Sequence, residues 1–268
     1  MSTRTARVAL VTGAARGQGR SHAVALARAG LDVAVCDLAR PLATVPYPLG
    51  TAEELAQTVR LVEGEGRRCV SAVLDVRDGA ALAELVARTL ATLGRLDTLV
   101  ANAGVISYGA AWELSDAQWD EVVGVNLTGV WQSCRAAVPA MLAGGEGGAI
   151  VISTSTAALK GLGRMAHYAA AKHGCIGLAR SLALELAPHH IRVNCIAPGG
   201  VRTPMGTNPQ MQAAMEADPE LARTLTAALP VDLVEPADVS AAVVWLCSDA
   251  ARQVTGAVLP VDAGTLLR

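Results

Sequence analysis

Residues Arg7-Val8-Ala9-Leu10-Val11-Thr12-Gly13-Ala14-Ala15-Arg16-Gly17-Gln18-Gly19-Arg20 run from an apolar stretch into a glycine-rich turn and on towards a segment with helical spacing. A short aliphatic run closed by such a turn reads as a buried strand followed by a helix. Gly13, Gly17 and Gly19 let the backbone turn sharply and approach a ligand, and the amides opening the helix, expected near Arg20, attract negative charge. The fitting ligand is a pyrophosphate, with Arg16 and Gln18 in the same turn. The spacing is G-x-x-x-G-x-G rather than the commoner G-x-G-x-x-G, so position between strand and helix carries the reading. A glycine-rich turn without a ligand is the competing one.

Outward from this turn the pattern repeats. Arg7–Val11, Leu31–Cys36, Cys69–Leu74, Leu96–Val100, Ala149–Ile152, Ile191–Ile196 and Val258–Val261 are seven candidate parallel strands, separated by stretches with helical spacing such as Thr51–Gly64 and Asp78–Gly94. Alternation from end to end predicts an α/β fold: one doubly wound Rossmann domain over residues 1–268, with a seven-stranded parallel sheet covered by helices on both faces. Two segments break the rhythm. Residues 40–50 carry three prolines directly after the second strand, and residues 203–230 contain Met205, Met211, Met215, Leu221, Leu225 and Leu229, spaced for short amphipathic helices. Loops at the carboxyl ends of strands serve the ligand site in open α/β sheets, so the second is expected to form a substrate-side lid.

Composition agrees. The chain of 268 residues is 52% hydrophobic and 17% charged with no Phe, so its core is built from Ala, Val, Leu and Ile, the filling of parallel strands. A net charge of −2 without a basic block gives no field for nucleic acid or an anionic membrane. The six cysteines lack a CxxC pair and the five histidines lack ligand spacing, so no metal site is expected and the thiols read as reduced core residues. The N-terminal residues offer no leader and no run of 18 apolar residues occurs, which predicts a cytoplasmic chain without a membrane span.

Asp37, with Leu38 after it, ends the second strand 18 residues beyond Gly19, where a carboxylate accepts from both adenosine ribose hydroxyls and repels a 2′-phosphate. This favours NAD over NADP; Arg16 and Arg40 argue the other way. Asp75-Val76 and Asn102-Ala103-Gly104 end the third and fourth strands on the same edge of the sheet.

In Tyr168-Ala169-Ala170-Ala171-Lys172 the phenol and ammonium are four apart and share a helix face. A free phenol has a pKa near 10, and acting as a base at neutral pH needs a shift of roughly 3 units, or about 4 kcal/mol. An ammonium about 4 Å away supplies most of that at an effective dielectric near 20. Ser155, thirteen residues earlier and just past the fifth strand, is placed to orient a substrate oxygen, with Thr154 and Ser153 as rivals.

These motifs resemble those of the short-chain dehydrogenase/reductase family over nearly the whole chain: Thr-Gly-x-x-x-Gly-x-Gly at 12–19, Asn-Ala-Gly at 102–104, Ser155, and Tyr-x-x-x-Lys at 168–172. The resemblance implies an NAD-dependent oxidoreductase interconverting a secondary alcohol and its ketone, with Tyr168 as base, Lys172 holding the ribose and Asn126 holding a water on a proton route. It also implies Val201 and Thr203 as nicotinamide and phosphate contacts, although Gly200 departs from many members, and a homotetramer.

Gly17-Gln18-Gly19-Arg20-Ser21-His22, Pro46-Tyr47-Pro48-Leu49 and Ala166-His167-Tyr168 are similar to the mycofactocin-associated, carveol-dehydrogenase-like branch. That implies tightly held NAD, with the insert at 40–50 expected to fold over the adenosine as a lid that must open for release, electrons passed to a peptide-derived redox cofactor, and a lipophilic alcohol or ketone as substrate. Trp112, Tyr108, Leu159, Met165, Met205 and Met211 are candidates to line its pocket. An ordinary dehydrogenase with exchangeable NAD and a non-catalytic nucleotide-binding protein are the alternatives.

Overall fold

In the computed structural model residues 6–268 are described, and the reading of residues 1–5 as leaderless lies outside them. Strands β1 (Val8–Thr12), β2 (Asp32–Asp37), β3 (Cys69–Val73), β4 (Thr98–Ala101), β5 (Gly148–Ser153), β6 (Ile191–Pro198) and β7 (Val258–Val261) form one parallel sheet in the order β3-β2-β1-β4-β5-β6-β7. All seven expected strands are present, with ends moved by a residue or two.

Because side chains alternate across a strand, each one feeds two cores. Ala9, Val11, Val33, Val35 and Val151 pack on Leu26 of α1 (Gly17–Arg28), Leu55 of α2 (Ala52–Gly64) and Val243 of α9 (Pro236–Cys247). Leu10, Ala34, Leu99, Ile150 and Cys195 pack on Leu82 of α3 (Gly79–Leu93), Cys134 of α5 (Gly129–Gly144) and Cys175 of α6 (Ala166–Leu186). Both faces of the sheet are therefore covered by helices, as an all-parallel sheet requires, with Ser71 and Val73 of the edge strand β3 exposed. The central strands β1 and β4 are buried along their whole length.

Helix limits follow local chemistry. Thr51 and Glu54 form a reciprocal capping box at the start of α2. The Asp78 side chain accepts from two first-turn amides of α3, and Gly94 ends that helix in the left-handed conformation. In contrast α1 begins at Gly17, three residues before the expected start, and Arg16 makes no side-chain cap. Between α4 (Asp116–Val123) and α5 lies one π-helical turn, Gly124–Thr128, which the sequence pattern did not disclose. The 203–230 segment folds into α7 (Pro209–Ala217) and α8 (Pro219–Leu225), with Leu221 buried and Leu229 exposed. Among the described residues no helix is long and apolar enough to cross a membrane.

Candidate active site

On leaving β1 the chain turns towards β2 and on leaving the adjacent β4 it turns towards β5, so the loops after these two strands diverge and open a crevice at the carboxyl edge of the sheet. The glycine-rich turn forms its floor. Gly13 and Gly17 have φ of 67° and 55°, the left-handed region. A Cβ added at Gly19 would stand 2.0 Å from the Gly13 carbonyl oxygen, and one at Gly13 would stand 2.8 Å from Ala103 Cα. With no side-chain cap at Arg16, the first amides of α1 remain open to an anion. Thr12 Oγ1 accepts from the Asn102 and Ala103 amides at 3.0 Å, and Asn102 Nδ2 donates to Thr12 O, tying the turn to the end of β4.

Asp37 stands at the rim. Its carboxylate accepts from Ala15 N at 2.9 Å and Ala39 N at 3.2 Å, fixing it beside Leu38. Asp75, Val76, Asn102, Ala103, Gly104 and Thr203 line the same crevice. Of the arginines that argued for a 2′-phosphate, Arg16 Nη2 donates to Pro48 O and Arg40 lies 3.6 Å from Asp75. Burial raises the Asp75 carboxyl, but the Arg77 guanidinium, with Arg40 behind it, holds it below the ordinary range. A bare glycine cradle, open helix amides and a fixed carboxylate at the rim fit a dinucleotide.

Residues 40–50 are more than a surface elaboration. Leu42, Val45 and Tyr47 are buried in the core on the crevice side. The Tyr47 hydroxyl accepts from Ile106 N at 3.2 Å, and Glu121 of α4 accepts from both the amide and the hydroxyl of Thr44 at 2.9 and 2.6 Å. Tyr47, Leu49 and Gly50 line the nucleotide crevice. Thr44 was missed in the sequence, and Tyr47 was marked there only as part of Pro46-Tyr47-Pro48-Leu49, without its inward packing or its bond to Ile106.

Where the crevice meets a second, apolar cleft, the chemistry-bearing side chains converge. Ser155 and Tyr168 line that cleft together, and the serine hydroxyl favours the ionised phenol. Tyr168 and Lys172 share a face of α6 because of their spacing, and the ammonium lies 5.6 Å from the phenol ring centre. Lys172 Nζ donates to Ser153 O at 2.8 Å, which pins it at the end of β5. Burial lowers the Lys172 pKa. Burial also pushes the Tyr168 phenol up to about 12, against the downward pull of the Ser155 hydroxyl. The expected lowering of the phenol, mostly by Lys172 with the positive nicotinamide ring adding to it, therefore has burial to overcome.

Asn126 sits fully buried in the π-helical turn. Its Nδ2 donates to Val105 O and Val122 O, both at 2.8 Å, while Oδ1 has no partner. A Cβ on Gly104 would lie 2.8 Å from that oxygen and 3.5 Å from Lys172 Nζ. Asn126 and Lys172 thus stand together behind Gly104. Of the rivals to Ser155, Thr154 donates to Ile196 O at 2.6 Å and Ser153 to Asn102 Oδ1 at 3.3 Å, so both hydroxyls are engaged in the sheet.

Leu162, Met165, Met205, Met211, Leu225 and Val201 give the second cleft its apolar walls, and Gln18 lines both clefts with a buried Oε1 that has no partner. Three expected wall residues are elsewhere. Trp112 is 87% exposed on the loop before α4 and Leu159 is 41% exposed outside the cleft, because hydrophobicity in a loop does not say which way a side chain faces. Tyr108 lies on the outer side, where its hydroxyl accepts from Asn208 Nδ2 at 3.3 Å. Among the described residues no three His, Cys, Asp or Glu side chains gather as a metal would need.

The profile of the family described as enoyl-(acyl carrier protein) reductase matches residues 13–265. The (-)-trans-carveol dehydrogenase of Rhodococcus erythropolis is 49% identical over 271 residues, 98% of each chain. The crystal structure of carveol dehydrogenase from Mycobacterium avium in complex with NAD is similar with a TM-score of 0.94 at 45% identity, covering 99% of each chain. A short chain dehydrogenase from Mycobacterium paratuberculosis bound to NAD gives 0.95 at 45% identity over 98% of each.

Proposed function

Because the chain belongs to the short-chain dehydrogenase/reductase family, we propose that it is an NAD-dependent dehydrogenase that oxidises a lipophilic secondary alcohol to its ketone and keeps its NAD between turnovers. The observation that carries this reading is the meeting of Ser155, Tyr168 and Lys172 at the junction of the glycine-floored crevice with the apolar cleft.

The nucleotide is held by the amides of the Gly13–Gly19 turn, the Asp37 carboxylate, and the crevice walls at Leu38, Asp75, Val76 and Asn102–Gly104, with Val201 and Thr203 closing the nicotinamide end. NAD, when bound, supplies the two-electron acceptor for the hydride. Ser155 orients the alcohol oxygen by a hydrogen bond, and Tyr168 takes its proton. With the phenol raised to about 12, that step needs a cation beside it. The positive charge of the oxidised cofactor, when bound, would join Lys172 in favouring the ionised phenol. Lys172 and Asn126, behind Gly104, carry the proton onward.

Cofactor retention is supported by the insert, whose Tyr47, Leu49 and Gly50 wall the crevice and whose clasps reach α1, α4 and the loop after β4. Release then requires that wall to open, and electrons leave through an external acceptor of the mycofactocin type. The six free cysteines support a reducing, cytoplasmic setting, and a homotetramer and a single catalytic domain complete the reading. The test is turnover of a panel of cyclic secondary alcohols with an artificial electron acceptor and no added NAD. Activity that appears only on adding NAD points instead to an ordinary dehydrogenase.

A further inference from the structure

Lys160 stands just after the 3-10 turn Thr156–Ala158, on the loop that leads from Ser155 towards α6. Its Nζ donates to Thr224 O at 2.6 Å and Thr265 O at 2.9 Å, and lies 3.4 Å from Arg268 O. An ammonium has three protons, and three carbonyl oxygens from two other segments take them. Burial lowers its pKa, with the nearby Asp262 carboxylate opposing that.

The two main acceptors sit in informative places. Thr224 precedes Leu225, which walls the apolar cleft, and Leu162, two residues beyond Lys160, walls the same cleft. Thr265 belongs to a turn fixed to the end of β7: Asp262 accepts from Gly264 N at 2.9 Å and Leu266 N at 2.8 Å. The far end of the 203–230 segment is pinned separately, where Ala263 O accepts from the Ala228 and Leu229 amides. The end of α8 is held to the Ser155 loop through Lys160.

We propose that Lys160 is a specificity-determining positioning residue, which sets the width of the alcohol cleft by clasping the end of α8 and the Asp262–Leu267 turn to the Ser155 loop. It touches no reacting atom. The inference rests on the alcohol-dehydrogenase reading for its substrate but not for the clasp itself, and the two are tested separately. In Lys160→Met the stem remains and the three donors vanish, so α8 drifts and the gap between Leu162 and Leu225 widens.

The experiment compares wild type, Lys160→Met and Lys160→Arg, each as purified, with cyclohexanol and 4-tert-butylcyclohexanol and a dye acceptor, alongside limited trypsin cleavage after Arg223. Expected for Lys160→Met is a rise in KM for cyclohexanol larger than any fall in kcat. The kcat/KM ratio should shift towards the bulkier alcohol by about tenfold, the scale on which an apolar pocket senses a methylene. Cleavage after Arg223 is faster, bound nucleotide is unchanged, and Lys160→Arg recovers most of both effects. An unchanged ratio with unchanged cleavage overturns the proposal, as does cleavage no faster than wild type by itself. If wild type oxidises neither alcohol while Lys160→Met is cut faster, the clasp stands and the function reading fails.

Discussion

Replacing Tyr47 by Phe removes one hydroxyl from the insert and leaves its ring in place. That hydroxyl accepts from the buried amide of Ile106 at 3.2 Å. In the closed insert the variant leaves that N–H without a partner, which costs about 1–3 kcal/mol. In the opened insert water takes the hydroxyl's place, so the cost falls on the closed form alone. Since each 1.4 kcal/mol is tenfold, opening becomes roughly 5- to 150-fold more populated. If opening gates the nucleotide, release accelerates by that factor. The assay loads wild type and Tyr47→Phe with NAD, removes free nucleotide, and follows its appearance in filtrates over time. Faster release at unchanged kcat for the loaded enzyme is the expected result. Release within twofold of wild type, accompanied by a lowered Tm, would refute the reasoning: the insert would then be packing and not a gate.

Tyr168→Phe should lower kcat by about 10²–10⁴ while bound nucleotide stays at the wild-type level, measured by turnover and by absorbance after denaturation. Asp37→Ser removes the carboxylate at the rim and should let NADP support turnover, read as the NADP-to-NAD ratio of kcat/KM in protein stripped of cofactor; no change would show that Asp37 does not meet the 2′-position. Burial depresses His22 from 6.5 to about 3, so the folded state resists its protonation. A depressed histidine contributes stability that is full above pH 6.5 and falls by about 1.4 kcal/mol per pH unit below it. Urea unfolding at pH 7.5 and 5.0 should show that loss in wild type and a flatter response in His22→Asn; equal slopes would assign the loss to other groups.

Most of this fold was legible because each element carries its own signal. The aliphatic run Val8–Val11 closed by the glycine turn, and the helical stretches Thr51–Gly64 and Asp78–Gly94, are local features that the observed burial and capping respect. The crevice residues were legible for the same reason, since strand ends and glycines mark where backbone approaches a ligand. What was hidden depends on tertiary partners. The π-helical turn around Asn126 has no periodicity of its own, and the burial of Leu42, Val45 and Tyr47 is decided by walls supplied by Ile106 and Glu121. The phenol of Tyr168 is the clearest case: its spacing to Lys172 was readable, but the burial that raises it was not.

The central claim is that this chain carries its own NAD through turnover with Tyr168 as base. Denaturing the purified protein and quantifying released nucleotide, beside single-sample turnover of a cyclic secondary alcohol with a dye acceptor and no added cofactor, tests it most directly. The account predicts about one NAD per chain and sustained turnover that Tyr168→Phe abolishes. Nucleotide-free protein whose activity saturates only with added NAD would contradict it.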